Sequence, residues 1–249
     1  MAVVLFEVFE ALPRAAPGDA GSAERALALV QELPRRARVL DLGCGPGPAA
    51  TLWLARRLSH SRVVAVDLHA PFVANARGRA RAEGLADRVF AVRAAIETLP
   101  FAIASLDLVW AEGALYNAGD FARGVRLCRE MLRPGGFLVC SEAVWLTADP
   151  AEGPRNFWQR EYPAISSIEA TVERVRSAGL RVVGHFTLPR QAWWTDFYAP
   201  MEARLAELRE RHSGDAAALH ELGQLAAEAE LHRRHGDSYG YEMIVARRD

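Results

Sequence analysis

The sequence predicts an α/β protein with a mostly parallel β-sheet and helices on both faces. Two observations lead to this prediction. Apolar runs of about five residues alternate with helix-compatible segments of roughly ten to fourteen residues along the first part of the chain. The first apolar run ends in Asp41 and breaks into a glycine turn, Gly43 to Gly47, which opens a helical segment. A strand that ends in such a turn is suited to bring backbone close to a ligand.

The elements follow in order along the chain. Five strands are predicted, over residues 38–42, 62–67, 88–93, 105–110 and 137–141, with helices over 48–58, 71–82 and 120–132. A tight turn, Arg133-Pro134-Gly135-Gly136, precedes the fifth strand. In parallel sheets of this kind, ligands bind outside the carboxyl ends of the strands.

Other elements lie outside this repeat. Residues 22–33 predict an amphipathic helix after a loop at 13–18, and residues 143–165 are rich in aromatic residues and proline. A capping box from Ser166 to Glu169 predicts the start of another helix. A sixth strand (180–187), two helices (200–212 and 215–234) and a last strand (239–246) complete the chain, so we expect a helical insertion before the last strand.

Composition excludes several classes of function. The formal net charge of −1 gives no case for binding nucleic acid or an anionic membrane. All 30 basic residues are arginine, which excludes Schiff-base lysine chemistry and a Walker-type phosphate loop. The three cysteines have no metal-like spacing, and no apolar run is long enough to span a bilayer. We therefore expect a cytoplasmic protein without a metal site, and a monomer or homodimer.

The glycine turn resembles a dinucleotide fingerprint, but Pro48 stands where its last glycine belongs. This difference disfavours NAD. Asp67 ends the second strand and can accept hydrogen bonds from both hydroxyls of a ribose. Turn and carboxylate together predict a nucleoside-containing ligand.

Residues 39–47 (VLDLGCGPG) and 63–67 (VVAVD) resemble the first two motifs of class I, Rossmann-like S-adenosylmethionine-dependent methyltransferases. Residues 96–101, 106–109 and 132–136 resemble their later motifs. The resemblance implies a doubly wound seven-stranded sheet of order 3-2-1-4-5-7-6, with the last strand antiparallel. It also implies S-adenosylmethionine as cofactor, held by Asp41, Gly43, Cys44, Gly45, Gly47, Asp67, Leu68, Ala95, Ile96 and Glu112. Relatives often have Gly-Asp-Ala where this chain has Ala94-Ala95-Ile96, so the usual side-chain contact to adenine is missing.

A narrower resemblance covers nearly the whole chain. Residues 14–18, 110–117, 157–163 and 184–194 are similar to a bacterial subgroup described as ubiquinone/menaquinone-type methyltransferases; that description does not identify the substrate. It implies one domain over 1–249, with an N-terminal helical lid (1–34), a cofactor-binding core (36–142) and acceptor-side insertions (143–165 and 189–236).

Methyl transfer requires an aligned nucleophile, and some acceptors also require a base. Three candidates for the catalytic base follow strands or lie near their ends: Glu112, Glu142 and His185. For each an ordinary structural role is the alternative: a solvated acid, an arginine partner and a core histidine. Candidate acceptor-binding residues are mostly aromatic: Arg14, Trp110, Tyr116, Asn117, Trp145, Trp158, Tyr162, Trp193, Trp194 and Tyr198. Simple packing of the insertion onto the sheet is their alternative.

The resulting hypothesis is methyl transfer from S-adenosylmethionine to a small-molecule acceptor, giving S-adenosylhomocysteine. Three alternatives stay open: an NAD-dependent oxidoreductase, an RNA or protein methyltransferase, and a cofactor-binding protein of this fold without turnover.

Overall fold

A computed structural model describes residues 2–249, of which residues 2 and 3 are described by their backbone only. Within this range one mixed sheet has eight strands: β1 (Arg38–Leu42), β2 (Arg62–Asp67), β3 (Val89–Arg93), β4 (Leu106–Glu112), β5 (Leu132–Trp145), β6 (Ser166–Ser167), β7 (Arg181–Thr187) and β8 (Tyr239–Arg247). Their order is β3-β2-β1-β4-β5-β8-β7, with the two-residue β6 pairing beside β5. Strand β8 runs antiparallel to both neighbours, and the other pairs are parallel. Without β6, this is the predicted order 3-2-1-4-5-7-6, so the predicted fold class is confirmed.

Nine α-helices surround the sheet within residues 2–249: α1 (Ala2–Phe9), α2 (Ala20–Ala28), α3 (Ala49–Arg57), α4 (Ala70–Ala82), α5 (Phe121–Met131), α6 (Glu152–Glu161), α7 (Ile168–Ser177), α8 (Ala199–Arg211) and α9 (Ala216–His235). Side-chain oxygens of Asp19, Asp120, Ser167 and Asp215 accept backbone N–H groups at the starts of α2, α5, α7 and α9. These caps satisfy donors that have no partner inside a helix.

The alternation of side chains along each strand divides the core into two layers. On one face, Val39 packs with Ala26 of α2 and Leu54 of α3. On the other, Leu40 packs with Val125 of α5 and Val175 of α7. The helices therefore cover both faces, as the strand and helix pattern predicted.

A third apolar cluster joins the N-terminal segment to the later insertions. It contains Val8 of α1, Trp158 of α6, Leu205 of α8, Leu222 of α9 and Tyr239 of β8. Segments far apart in sequence therefore share one core. The division into a lid, a cofactor-binding core and acceptor-side insertions stays a prediction.

Several predicted boundaries differ from the structure. The helix predicted over 22–33 is α2, which begins earlier because the Asp19 carboxylate accepts the backbone N–H of Ser22 at 2.8 Å. The capping residue of α7 is Ser167, whereas the hydroxyl of Ser166 pairs with that of Thr171. The predicted turn at 133–136 lies within the long strand β5. Helix α6 was not predicted as a helix, since Gly153 and Pro154 occur in its sequence, yet proline is tolerated in a first helical turn.

Candidate functional site

The glycine turn leaves β1 with two residues in the left-handed region of backbone conformation. Gly43 has φ +77° and Gly45 has φ +65°. A Cβ on Gly43 would lie 2.6 Å from the Ala114 side chain, whereas a Cβ on Gly45 would meet no protein atom within 4 Å. Gly43 therefore permits close packing with the segment after β4, and Gly45 faces open space at the carboxyl end of the sheet.

Asp67 fixes the turn from the end of β2. Its Oδ2 accepts the backbone N–H of Gly45 at 3.0 Å, and its Oδ1 accepts that of His69 at 2.9 Å. Each carboxylate oxygen has further lone pairs, so Asp67 can still accept hydrogen bonds from a ligand. The predicted proximity of the turn and this carboxylate is therefore present in the structure.

Asp41 lies beneath the turn and is almost completely buried. It accepts a hydrogen bond from the Thr51 hydroxyl of α3. Burial, with a smaller contribution from the charge of Glu112, raises the pKa of Asp41 to about 7. Burial also raises the pKa of the Cys44 thiol far above its ordinary value, so this cysteine is not a nucleophile.

A cavity of about 380 Å³ lies over the turn, and we call it the glycine-turn cavity. Its walls include most of the predicted cofactor residues and three predicted acceptor residues: Asp41, Gly43, Cys44, Gly45, Asp67, Glu112, Arg14, Tyr116 and Asn117. The remaining walls come from α1, the 13–16 segment, the start of α3, the 113–114 segment, Pro46 and Phe72.

Four predicted cofactor residues do not line this cavity. The Leu68 side chain is 60% exposed. Ala95 directly precedes a 3₁₀ turn at Ile96–Thr98, and Ile96 packs against the core layer between the sheet and α5. Gly47 lies so close beneath the N-terminal loop that a Cβ on this residue would overlap the carbonyl oxygen of Pro13. Position 47 therefore requires glycine, because two backbone segments approach each other closely there.

The loop at residues 13–18 crosses the site and is fastened to the end of β4. Arg14 forms a largely buried ion pair with Oε2 of Glu112. The other carboxylate oxygen of Glu112 accepts the indole N–H of Trp110 at 2.6 Å. Because both oxygens of Glu112 have partners, this residue is better suited to hold the loop than to remove a proton from an acceptor.

A second cavity, of about 220 Å³, adjoins the first, and we call it the aromatic cavity. Ala15, Ala16 and Tyr116 line both spaces. The predicted residues Glu142, Trp158, Tyr162 and Trp193 also line it. Side chains near the ends of β4 and β5, α6 and the insertion before β8 are thus brought to one place, as the sequence predicted.

Glu142 is the acid best placed to act as a base here. It is 2% exposed, and its Oε2 is buried without a hydrogen-bond partner among the described residues. Burial raises the pKa of Glu142 to about 7. Burial, and next the charge of Glu142, raises the pKa of Tyr162; the two side chains approach each other, although the buried Tyr162 hydroxyl forms no full hydrogen bond in the described part of the chain. A carboxylate with a pKa near neutrality can accept a proton at neutral pH.

His185 lies elsewhere, which argues against its predicted role as a base. Its Nδ1 is 2.6 Å from Oε1 of Glu242 in β8, and it lines neither the glycine-turn cavity nor the aromatic cavity. The Glu242 carboxylate also accepts the Thr187 hydroxyl at 2.7 Å. Because an edge strand carries His185 beyond the site, the histidine serves as the partner of a buried acid.

Four predicted acceptor residues also lie outside both cavities. Trp110 is fully buried in the core, and Tyr198, equally buried, donates its hydroxyl to Glu228 at 2.8 Å. Trp145 packs edge-on against Tyr239, and Trp194 stacks with the Arg233 guanidinium. Trp110 belongs to the core layer between the sheet and helices α2 and α3, whereas Trp145, Trp194 and Tyr198 belong to the apolar cluster that joins the insertion to the sheet.

Sequence reasoning missed several residues of the aromatic cavity. Phe9, Phe197, Tyr241 and Glu228 all line it. Burial raises the pKa of Glu228 to about 7. Its only sequence signal is an acid among the apolar residues of α9, which is too common a pattern to single it out.

Two further results concern the residues that the structure describes. Across positions 2–249, no three histidine, cysteine, aspartate or glutamate side chains are grouped in a way that could hold a metal ion. In the same range, no helix combines the length and apolar character needed to cross a membrane.

Comparison with known proteins finds a family match for the central region. Residues 39–136 match the family model described as methyltransferase domain. Malonyl-[acyl-carrier protein] O-methyltransferase of Enterobacter lignolyticus is 38% identical over 134 residues, which are 53% of this chain and 49% of that protein. The chain therefore spans about half the length of this curated relative.

Solved structures share the fold over nearly the whole chain. A methyltransferase from Geobacter sulfurreducens, in complex with S-adenosylhomocysteine, has a TM-score of 0.84 at 20% identity and covers 100% of this chain and 99% of its own. The [4+2]-cyclase SpnF has a TM-score of 0.71 at 23% identity, covering 94% of this chain and 83% of its own. At these identities the likeness concerns the fold, and a cyclase among the neighbours shows that the fold alone does not define the reaction.

Proposed function

We propose that this chain transfers a methyl group from S-adenosylmethionine to a small-molecule acceptor. Its residues 39–136 match the methyltransferase domain family, and its fold is that of class I methyltransferases. The observation that carries this proposal is the cradle at Gly45. This residue has a positive φ, lines the glycine-turn cavity, meets no protein atom on its Cβ side and is held by Asp67.

The residues around this cradle fit S-adenosylmethionine. Asp67 has lone pairs for the ribose hydroxyls, and Gly43 and Gly45 bring backbone to the cavity wall. Asp41 and Glu112 add carboxyl groups for the amino group of the methionine part. When bound, S-adenosylmethionine supplies an electrophilic methyl group on a sulfonium sulfur.

The protein's own groups have three tasks. The Arg14–Glu112 pair holds the 13–18 loop over the glycine-turn cavity, which limits the access of water. Tyr116, which lines both cavities, separates the cofactor side from the acceptor side. Glu142 lines the acceptor side and is available to take a proton from the nucleophile.

A second candidate function is suggested by the likeness to SpnF: a protein of this fold that binds the cofactor and does not methylate. Calorimetry with S-adenosylmethionine and NAD, followed by a screen of pooled metabolites for S-adenosylhomocysteine release, separates the candidates. We expect binding of S-adenosylmethionine, no binding of NAD, and release that depends on an acceptor. Binding of S-adenosylmethionine without release from any pool would favour the second candidate, and binding of NAD instead would overturn the proposal.

A further inference from the structure

Three side chains of the aromatic cavity carry buried polar atoms that form no hydrogen bond with the described residues, although the Glu142 and Tyr162 side chains approach each other. These atoms are Oε2 of Glu142, Nε1 of Trp158 and the hydroxyl of Tyr162, each without a hydrogen bond among the residues the structure describes. All three side chains line the cavity. A buried polar group without a partner is energetically costly, so such groups indicate a ligand that supplies the missing hydrogen bonds.

The charged residues that line this cavity are all acidic. Three carboxyl groups line it, from Glu142, Glu161 and Glu228, and its described wall includes no arginine or histidine. Glu161 is already paired with Arg160 at 2.7 Å. Among the residues that the structure describes, Glu228 accepts a hydrogen bond only from the neutral hydroxyl of Tyr198. Of the three, the carboxyl groups without an ion pair among the described residues are therefore those of Glu142 and Glu228.

The rest of the wall is largely aromatic. The rings of Tyr116 and Tyr162 lie 5.6 Å apart at an angle of 53°, and Phe157 meets Trp158 edge-on at 5.4 Å. The faces of aromatic rings attract cations, most strongly where water is excluded. The aromatic faces and the carboxyl groups of this cavity therefore both favour a cationic ligand.

We propose that the methyl acceptor is an amine without an anionic group, bound in the aromatic cavity and deprotonated by Glu142. This inference rests on the methyltransferase function proposed above. The ammonium form donates hydrogen bonds to Glu142 and Tyr162 and lies among the rings. The indole N–H of Trp158 is left for a neutral acceptor atom, such as a hydroxyl or ether oxygen on the ligand.

The chemistry balances without another reactant. The ammonium group gives a proton to the Glu142 carboxylate and leaves a nitrogen lone pair. That pair forms the new N–C bond while the S–C bond of the sulfonium breaks, and its electrons stay on sulfur. The products are the methylated ammonium and S-adenosylhomocysteine, and the proton on Glu142 is returned to water.

A matched panel tests the charge of the acceptor. The intact protein, saturated with S-adenosylhomocysteine, is titrated with 2-phenylethylamine, 2-phenylethanol, 4-ethylphenol and 3-phenylpropanoate, which share an aromatic ring and differ in their polar group. Binding of S-adenosylhomocysteine is measured first. A protein that does not bind it contradicts the proposed methyltransferase function, and this outcome is thereby distinguished from a failure of the amine assignment. We expect the amine to bind at least tenfold more tightly than the others. Equal or tighter binding of an anion, alcohol or phenol, or binding of none of the four, would overturn the amine assignment while leaving methyl transfer open.

Variants then test Glu142 itself. Glu142→Gln should lower kcat/KM for an amine acceptor at least 30-fold, remove the rise of kcat/KM with pH, and change S-adenosylhomocysteine affinity less than twofold. Glu152→Gln, at an exposed position of α6, is the matched control and should leave all three unchanged. An unaltered pH profile in a folded Glu142→Gln protein would show that another group receives the proton.

Discussion

Glu142 of β5 and Glu242 of β8 lie directly opposite one another in the antiparallel pair, and both are almost completely buried. Two neighbouring carboxylates are unfavourable unless their charges are compensated. His185 and Thr187 supply both oxygens of Glu242 with partners. Glu142 keeps one oxygen unpartnered among the described residues and lines the aromatic cavity. On this pair of strands, Glu242 thus has a structural role, whereas Glu142 is available to accept a proton.

Asp67→Ala should weaken binding of S-adenosylmethionine by on the order of 1.5–3 kcal/mol, because it removes charge-assisted hydrogen bonds to the ligand and the support of the Gly45 N–H. Calorimetry with S-adenosylhomocysteine measures the change directly. Asp87→Ala, an exposed aspartate before β3, is the control and should bind normally. Unchanged affinity in the Asp67 variant would remove Asp67 from the cofactor site.

His185→Ala should lower the free energy of unfolding by about 1–3 kcal/mol, since the buried Glu242 carboxylate loses a hydrogen-bond partner. Turnover at saturating substrates should change less than twofold, because His185 lines neither cavity. Urea unfolding and kcat are the two measurements. A large fall in kcat with unchanged stability would restore the histidine as a candidate base.

The stability of the free protein should fall as pH rises from about 5 to 8. Burial raises the pKa values of Asp41, Glu142 and Glu228 to about 7, above their ordinary values of 3.8, 4.5 and 4.5. At pH values between the ordinary pKa values and about 7, the folded state binds more protons than the unfolded state, so the unfolding free energy decreases as pH rises. Asp41 contributes at most about 4 kcal/mol and Glu142 and Glu228 at most about 3 kcal/mol each, and these contributions are lost as pH rises through about 7.

Glu142→Gln isolates one of these contributions, and thermal unfolding across this pH range should then show a shallower slope. The groups around Glu142 are Tyr162, Tyr116 and Tyr241, together with Arg174 of α7. Burial raises the pKa values of the three tyrosines above their ordinary value of 10, so these tyrosines do not titrate in this range. A slope equal to that of the Glu152→Gln control would contradict the assignment.

Gly47→Ala should open the loop at residues 13–18, because a Cβ on residue 47 would overlap the Pro13 carbonyl. Displacement of this backbone also disturbs the Arg14–Glu112 pair. Limited trypsin digestion followed by mass spectrometry should show faster cleavage after Arg14 than in the parent protein. Gly78→Ala is the control, since a Cβ there meets no atom within 4 Å on helix α4. Equal cleavage rates would mean that the loop does not depend on Gly47.

The sequence alone determined the sheet and the position of the glycine turn. Strand and helix periodicities are local, and the run from Val39 to Gly47 together with Asp67 at the next strand end carries its own chemistry. Parallel strands bring their carboxyl ends to one edge, so Gly45 and Asp67 meet there wherever the rest of the chain lies. For the same reason Glu112 and Glu142 could be placed near the site from sequence.

Only the tertiary structure decided what each of these side chains does. Arg14 lies 98 residues from Glu112 in sequence, and Glu242 lies 57 from His185, so no local pattern reveals either contact. Trp110 and Trp158 cannot be distinguished by residue type, yet one is a core residue and the other lines a cavity. The distinction depends on the long-range packing of α1, α6 and α9 over the sheet. Whether a side chain is buried, and whether its polar atoms find hydrogen-bond partners, is decided only when these elements pack together.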